Sequence, residues 1–135
     1  MTAPRRLAHP LAAALGLASA LILPLAAAAA EVAPFTSAAF DAARAAGRPI
    51  LVDVSAPWCP TCKAQRPILS NLEAQAKFKD LLVLDVDFDS QKDVLRRFGV
   101  RMQSTMIAFK GDRETARSTG ETRPAPIAAL LDSAL

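Results

Sequence analysis

The chain is short of the residues that most catalytic sites draw on. Its 135 residues include one His, two Cys, one Trp and no Tyr, and aromatics make up only 5 %. The single His, His9, sits near the N-terminus, in a segment that reads as a removable leader. Without it there is no Ser-His-Asp triad, no Cys-His dyad, no HExxH site and no Cys2His2 zinc site. The excess of one charge sign is small too. Lys+Arg 16 against Asp+Glu 13 leaves a formal +3, too weak a bias to argue for a nucleic-acid partner. The length fits a single domain. The nucleophile chemistry that remains has to come from Cys59 and Cys62.

Residues 1–30 have the three parts of a secretory signal peptide. Arg5 and Arg6 form a basic start, Leu11 to Leu25 is uncharged and rich in Leu and Ala, and Ala26 to Ala30 offers overlapping A-x-A cleavage sites. A retained membrane anchor is the alternative, because the apolar stretch from Leu11 to Ala30 reaches spanning length. The alanine run suits a peptidase better than lipid. The Arg pair raises twin-arginine export, but Pro4 and Leu7 do not extend that motif, so Sec-type export is expected. No Cys stands near the cleavage region, which argues against a lipoprotein. Cleavage would remove Arg5, Arg6 and His9, lowering the charge from +3 to +1 and leaving about 105 residues. Residues 31–135 would then act as one domain in the periplasm or outside the cell, where disulfides persist.

Past Ala30 the pattern alternates in the order βαβαβαββα. Strands are expected at Ala33 to Thr36, Pro49 to Val54, Leu81 to Val86, Thr105 to Phe109 and Glu114 to Ser118. Helices are expected from a Ser37 cap to Gly47, from Cys59 to about Lys77, from a Ser90 cap to Gly99, and from Pro124 or Pro126 onward. Pro67 lies inside the second helix and should kink it. Gly111-Asp112 makes a turn. Strand–helix alternation followed by a hairpin predicts an α/β fold, a central mixed sheet with helices on both faces. No heptad pattern suggests assembly, so a monomer is expected.

The chemistry lies in Trp58-Cys59-Pro60-Thr61-Cys62-Lys63. A C-x-x-C that follows a buried strand and opens a helix is a redox arrangement. At a helix N-terminus the free N–H groups and the dipole favour an anion, and only a thiolate attacks a disulfide. A second cysteine one turn deeper can resolve the mixed disulfide. Pro60 suits the first helical turn. Other uses of the pair are weaker. A structural disulfide closing so short a loop would restrict the unfolded chain little. Haem attachment needs a His after Cys62, where Lys63 stands. Zinc would need two further ligands, and residues 31–135 contain no His and no other Cys. Cu(I) accepts two thiolates, so a copper-holding role stays open. No metal or cofactor is expected otherwise.

With these residues in view, the chain resembles the thioredoxin family. The resemblance runs through Pro49 to Lys63, Pro67, Asp85-Val86-Asp87, Gly99-Val100, Thr105 to Lys110 and Gly120, covering nearly all of residues 35–135. It implies a thioredoxin-like fold, with Cys59 attacking, Cys62 resolving and Asp53 as the buried acid that moves a proton to or from the resolving thiol. Asp53 also stands out unaided, since it interrupts an apolar strand and burial raises a carboxyl pKa. A solvent-reached Asp at a strand end is the alternative. The resemblance makes Trp58 the aromatic that shields the site. It also exposes a departure. The family's cis-proline before the strand that ends in Phe109-Lys110 is Ser104 here, and a cis bond before a non-proline is costly, about 3 kcal/mol. A trans Gln103–Ser104 bond is therefore expected. The Ser104 hydroxyl can bond a thiolate, or the lost proline can ease metal binding.

The function expected is an exported thiol–disulfide oxidoreductase that acts on protein disulfides, as a reductant, with electrons from a membrane thiol donor. Thr61 adds no charge beside the thiols, which favours a moderate potential. A Cu(I)-holding or client-holding module is the alternative. The oxidoreductase reading expects Cys59 exposed and Cys62 more buried.

Overall fold

The computed structural model describes residues 28–135, so the basic start and apolar run of the expected signal peptide lie outside the described residues. The elements are β1 (Glu31–Pro34), α1 (Ser37–Ala45), β2 (Pro49–Ser55), α2 (Pro60–Glu73), β3 (Leu82–Asp87), α3 (Lys92–Phe98), β4 (Thr105–Lys110), β5 (Arg113–Thr119) and α4 (Pro124–Asp132), with a 3₁₀ turn at Ala76–Phe78. Their order is the expected one. Among the described residues no helix is long and apolar enough to cross a membrane.

One five-stranded sheet runs β1-β3-β2-β4-β5. β3 is parallel to both β1 and β2, while β4 is antiparallel to β2 and β5. The sheet is mixed, with helices on both faces. Side chains alternate along a strand, so the buried strand β2 feeds two cores at once. Ile50, Val52 and Val54 join Phe40 of α1 and Leu95 of α3 on one face. Leu51 joins Leu69 and Leu72 of α2 and Ile127, Leu130 and Leu131 of α4 on the other.

Several boundaries differ from expectation for local reasons. β1 starts two residues earlier, because its partners in β3 begin at Glu31↔Leu82. Thr36, not Ser37, caps α1: its Oγ1 accepts the Ala39 N–H at 3.1 Å. Ser90 cannot cap α3, since its hydroxyl and its N–H both donate to Asp87 Oδ1, and Gln91 takes the cap position. α2 stops at Glu73, whose carbonyl accepts the Ala30 N–H from the segment leading into β1, and the chain tightens into the 3₁₀ turn that buries Phe78. Pro67 sits within α2 without ending it. Gly99, left-handed at φ 62°, closes α3 as a residue without Cβ can.

The carboxyl ends of β2 and β3 and the start of β4 lie together, since Val54 pairs with Val86 on one side and Thr105 on the other. The loops leaving that edge carry the Cys pair, the segment after Asp87 and Ser104.

Candidate active site

The redox loop is built by the end of a strand and the start of a helix. β2 ends at Ser55, and the Cys59 N–H closes a turn onto the Ala56 carbonyl at 3.2 Å. Cys59 is the N-cap of α2, extended at φ −81° and ψ 112°, with Pro60 opening the helix. Its Sγ takes the place of a capping oxygen and accepts the Cys62 N–H at 3.1 Å. One orphan donor of the helix start thus points at the sulfur, where it favours negative charge. Cys59 and Cys62 are disulfide-bonded, with Cα atoms 5.3 Å apart. Thr61 is half-buried between them.

The expected accessibility is reversed. Cys59 is 0 % exposed and Cys62 9 %. In this oxidised form the Cys59 sulfur is turned inward onto the helix start. Ala56, Cys59 and Cys62 form a small apolar cluster, and Phe88 from the loop after β3 packs on it. Trp58 is 55 % exposed, lies edge-to-face on Phe88 with centroids 6.5 Å apart, and donates its Nε1–H to Asp89 at 2.8 Å. The indole braces the cover over Cys59 through Phe88. Asp87 organises the rest of that loop by accepting the N–H groups of Asp89 and Ser90.

Asp53 lies beneath, 2 % exposed, so the solvent-reached alternative does not apply. Arg66 of α2 approaches its Oδ2 at 3.6 Å, while Oδ1 has no partner. Burial outweighs the guanidinium and raises the Asp53 pKa to about 7 from the ordinary 3.8, with Asp85 and Glu73 adding smaller pushes in the same direction. Burial also raises the Glu73 and Asp85 carboxyls, and Arg66 opposes both shifts.

Ser104 is buried and carries a positive φ of 58°, the one non-glycine residue of that kind among those described, and no described peptide bond is cis. The Gln103–Ser104 bond is trans, as expected. The Ser104 hydroxyl donates to the Gln103 carbonyl at 2.5 Å rather than to a sulfur. Its own carbonyl accepts the Gly120 N–H and the Nε2–H of Gln65, which also donates to Glu121. Gln65, 1 % exposed on α2, therefore ties the Ser104 loop to the helix that carries the cysteines.

Arg66, Glu73, Asp85, Gln65, Phe88 and Asp89 were not singled out from sequence. Two signals were present. Asp85 interrupts an apolar strand as Asp53 does, and Arg66 follows Cys62 by four residues, one helical turn on the same face. Nothing in the residue pattern marks Phe88 as the cover. Among the described residues, no group of three or more His, Cys, Asp or Glu side chains is placed to hold a metal ion.

A disulfide bridging the N-cap of a helix to its first turn, above a buried carboxyl and at the edge of a mixed five-stranded sheet, defines a thiol–disulfide exchange site. Known proteins agree. The thioredoxin family model matches residues 31–133. The thioredoxin of Pseudomonas aeruginosa is 34 % identical over 100 residues, 73 % of this chain and 91 % of that protein. Thioredoxin Asp f 29 of Aspergillus fumigatus is 34 % identical over 82 residues, 61 % of this chain and 74 % of its own. The crystal structure of Trxlp from Edwardsiella tarda is 46 % identical with a TM-score of 0.73, covering 75 % of this chain and 98 % of that one. The chain belongs to the thioredoxin family, and its activity is thiol–disulfide exchange through the Cys59–Cys62 pair.

Proposed function

We propose that the protein is an exported reductant of protein disulfides, with Cys59 as attacking thiol, Cys62 as resolving thiol and Asp53 as the group that takes the Cys62 proton. The observation that carries this reading is the Cys59 sulfur at the α2 N-cap, accepting the Cys62 N–H. In the reduced protein that same donor favours a Cys59 thiolate. The thiolate attacks a substrate sulfur, forms a mixed disulfide and expels one substrate thiolate. Cys62 passes its proton to Asp53, attacks the Cys59 sulfur and releases the second substrate sulfur. Two electrons move to the substrate, and the protein is left with the Cys59–Cys62 disulfide seen here.

Asp53 suits the proton step, because a carboxyl at about 7 accepts and returns a proton near neutral pH. Arg66, one turn beyond Cys62, holds the carboxyl under the cysteine-bearing helix. The basic start and apolar run of residues 1–30 support export to the periplasm or beyond, with a membrane anchor as the alternative outcome. Soluble nicotinamide cofactors are absent outside the cytoplasm, so an exported reductant draws its electrons from a membrane thiol donor. Trp58, Pro60, Thr61 and Ser104 flank the exchange, and a monomer suffices for it.

Insulin-disulfide reduction by the wild-type chain and by Cys59→Ser tests the reading. Wild-type reduction lost in the variant is expected. Equal inactivity of both, with one equivalent of Cu(I) bound by the wild type, would replace the reductase reading with metal holding. Equilibration with a glutathione buffer sets the direction: a potential as high as that of strong oxidases would reverse the assignment as a reductant.

A further inference from the structure

Asp53 has a neighbour of its own kind. Asp53 and Asp85 are Cα partners in the parallel β2–β3 ladder, so the two carboxyl groups leave the same face of the sheet about one strand spacing apart, roughly 4.8 Å. Each has an oxygen, Oδ1, buried without a partner. Their surroundings differ. Asp53 is sealed, whereas Asp85 is half-buried and lines an open cleft of about 470 Å³ together with Cys62, Lys63, Arg66, Asp87 and Gln91. A proton held by Asp53 therefore has no direct way to water, and the adjacent carboxyl does. We propose that Asp85 is the outer half of a two-carboxylate path: Asp53 trades the proton with the Cys62 sulfur, and Asp85 trades it onward with water in the cleft.

The inference rests on the proton role given to Asp53 above and extends it to a second residue. The charged groups around Asp85 are compatible with it. Asp53 faces it from β2. Arg66, Glu73 and Lys63 belong to α2, Asp87 is on its own strand, and β1 brings only Pro34. Three carboxyl groups thus share the field of Arg66. Burial raises all three pKa values, Asp53 to about 7, so each of the three carboxyls holds a proton more readily than a free one. Asp85 touches no reacting sulfur. It is a positioning residue that acts through Asp53.

The step can be isolated with a small dithiol. A dithiothreitol thiolate attacks the Cys59 sulfur, the Cys59–Cys62 bond breaks, and Cys62 leaves as a thiolate that takes the Asp53 proton. The second dithiothreitol thiolate then displaces Cys59. The dithiol ends as a cyclic disulfide, and the protein gains two electrons and one proton, which ends on Cys62 while Cys59 is left as the thiolate. Asp53 is refilled from the cleft through Asp85.

The test compares reduction of the oxidised full-length chain by dithiothreitol, from pH 6 to 9, in wild type, Asp85→Asn and Asp85→Glu. A bulky buffer is used first, then formate or imidazole is added. Asp85→Asn is expected to slow the step about tenfold, less than the hundredfold or more of a direct acid or base. It should also move the Asp53-dependent limb of the profile to lower pH, because a like charge is removed. Asp85→Glu, or the small buffers added to Asp85→Asn, should restore most of the rate. An Asp85→Asn rate equal to wild type overturns the proposal, as does a shifted profile without loss of rate. A loss that neither the small buffers nor Asp85→Glu repairs marks a structural role and overturns it too. The dithiol comparison remains readable even if the wild type fails on insulin, so the two readings can fail separately.

Discussion

The two faces of the sheet are packed to opposite ends. On the α1/α3 face, Phe35, Phe40, Phe98 and Phe109 meet at centroid distances of 5.1–5.8 Å, mostly edge to face, and among the described residues no buried acid joins them. The α2/α4 face holds a comparable apolar cluster, yet at the end nearest the cysteines it contains Asp53, Asp85 and Arg66. The same two strands supply both faces, and one step along β2, from Val52 to Asp53, crosses from one regime to the other. An aromatic cluster gains from tight packing and area. A buried carboxyl loses hydration and gains an ability to trade protons. One face secures the fold and the other gives up some stability to hold a titrating group.

The comparison breaks most readily on the aromatic side. Phe40→Ala should destabilise the fold by about 3–5 kcal/mol, as large-to-small changes in packed cores do. Chemical denaturation would measure this, and dithiol exchange by the surviving folded fraction should stay near wild type. On the acidic side the sign reverses. Asp53 is protonated in the folded chain up to about pH 7, whereas an ordinary aspartate ionises near 3.8. Between those values the unfolded state binds fewer protons than the folded state, so stability falls as pH rises. The displacement corresponds to roughly 4 kcal/mol once pH exceeds 7. Asp53→Asn should remove that loss, and its advantage in melting temperature should grow from pH 4 to pH 7 while resolving activity drops. An advantage independent of pH would sink the assignment. The smallest effect concerns Ser104. Proline fixes φ near −65° and cannot occupy the observed 58°. Ser104→Pro should therefore destabilise the loop by about 1–3 kcal/mol, and unchanged thermal unfolding would show that the loop does not need a left-handed residue at 104.

How far the sequence carries depends on whether a feature is local. The order of elements, the Pro60 helix start and the burial of Asp53 follow from residue pattern, because apolar runs and a lone acid within one of them are visible in the chain itself. The end of α2 is not visible. Ala74 to Lys79 is compatible with helix, and what stops it is the distant Ala30 N–H on the Glu73 carbonyl. Ser90 is a plausible cap until Asp87 claims its hydroxyl. The covering of Cys59 depends on Phe88, an aromatic in a loop that sequence gives no reason to place over a sulfur. Asp85 lay within reach of the reasoning used for Asp53, but its significance needs the β2–β3 register.

The chain has a single tryptophan, and that residue adjoins Cys59 and is fastened to Asp89. With no tyrosine in the chain, nearly all of its near-ultraviolet emission comes from this one indole. A disulfide beside it quenches, and a dithiol quenches less. The protein therefore carries its own optical gauge of redox state, read without a label and free of signal from elsewhere in the fold. Any movement that uncovers the Cys59 sulfur by loosening the indole from Asp89 will register in the same channel.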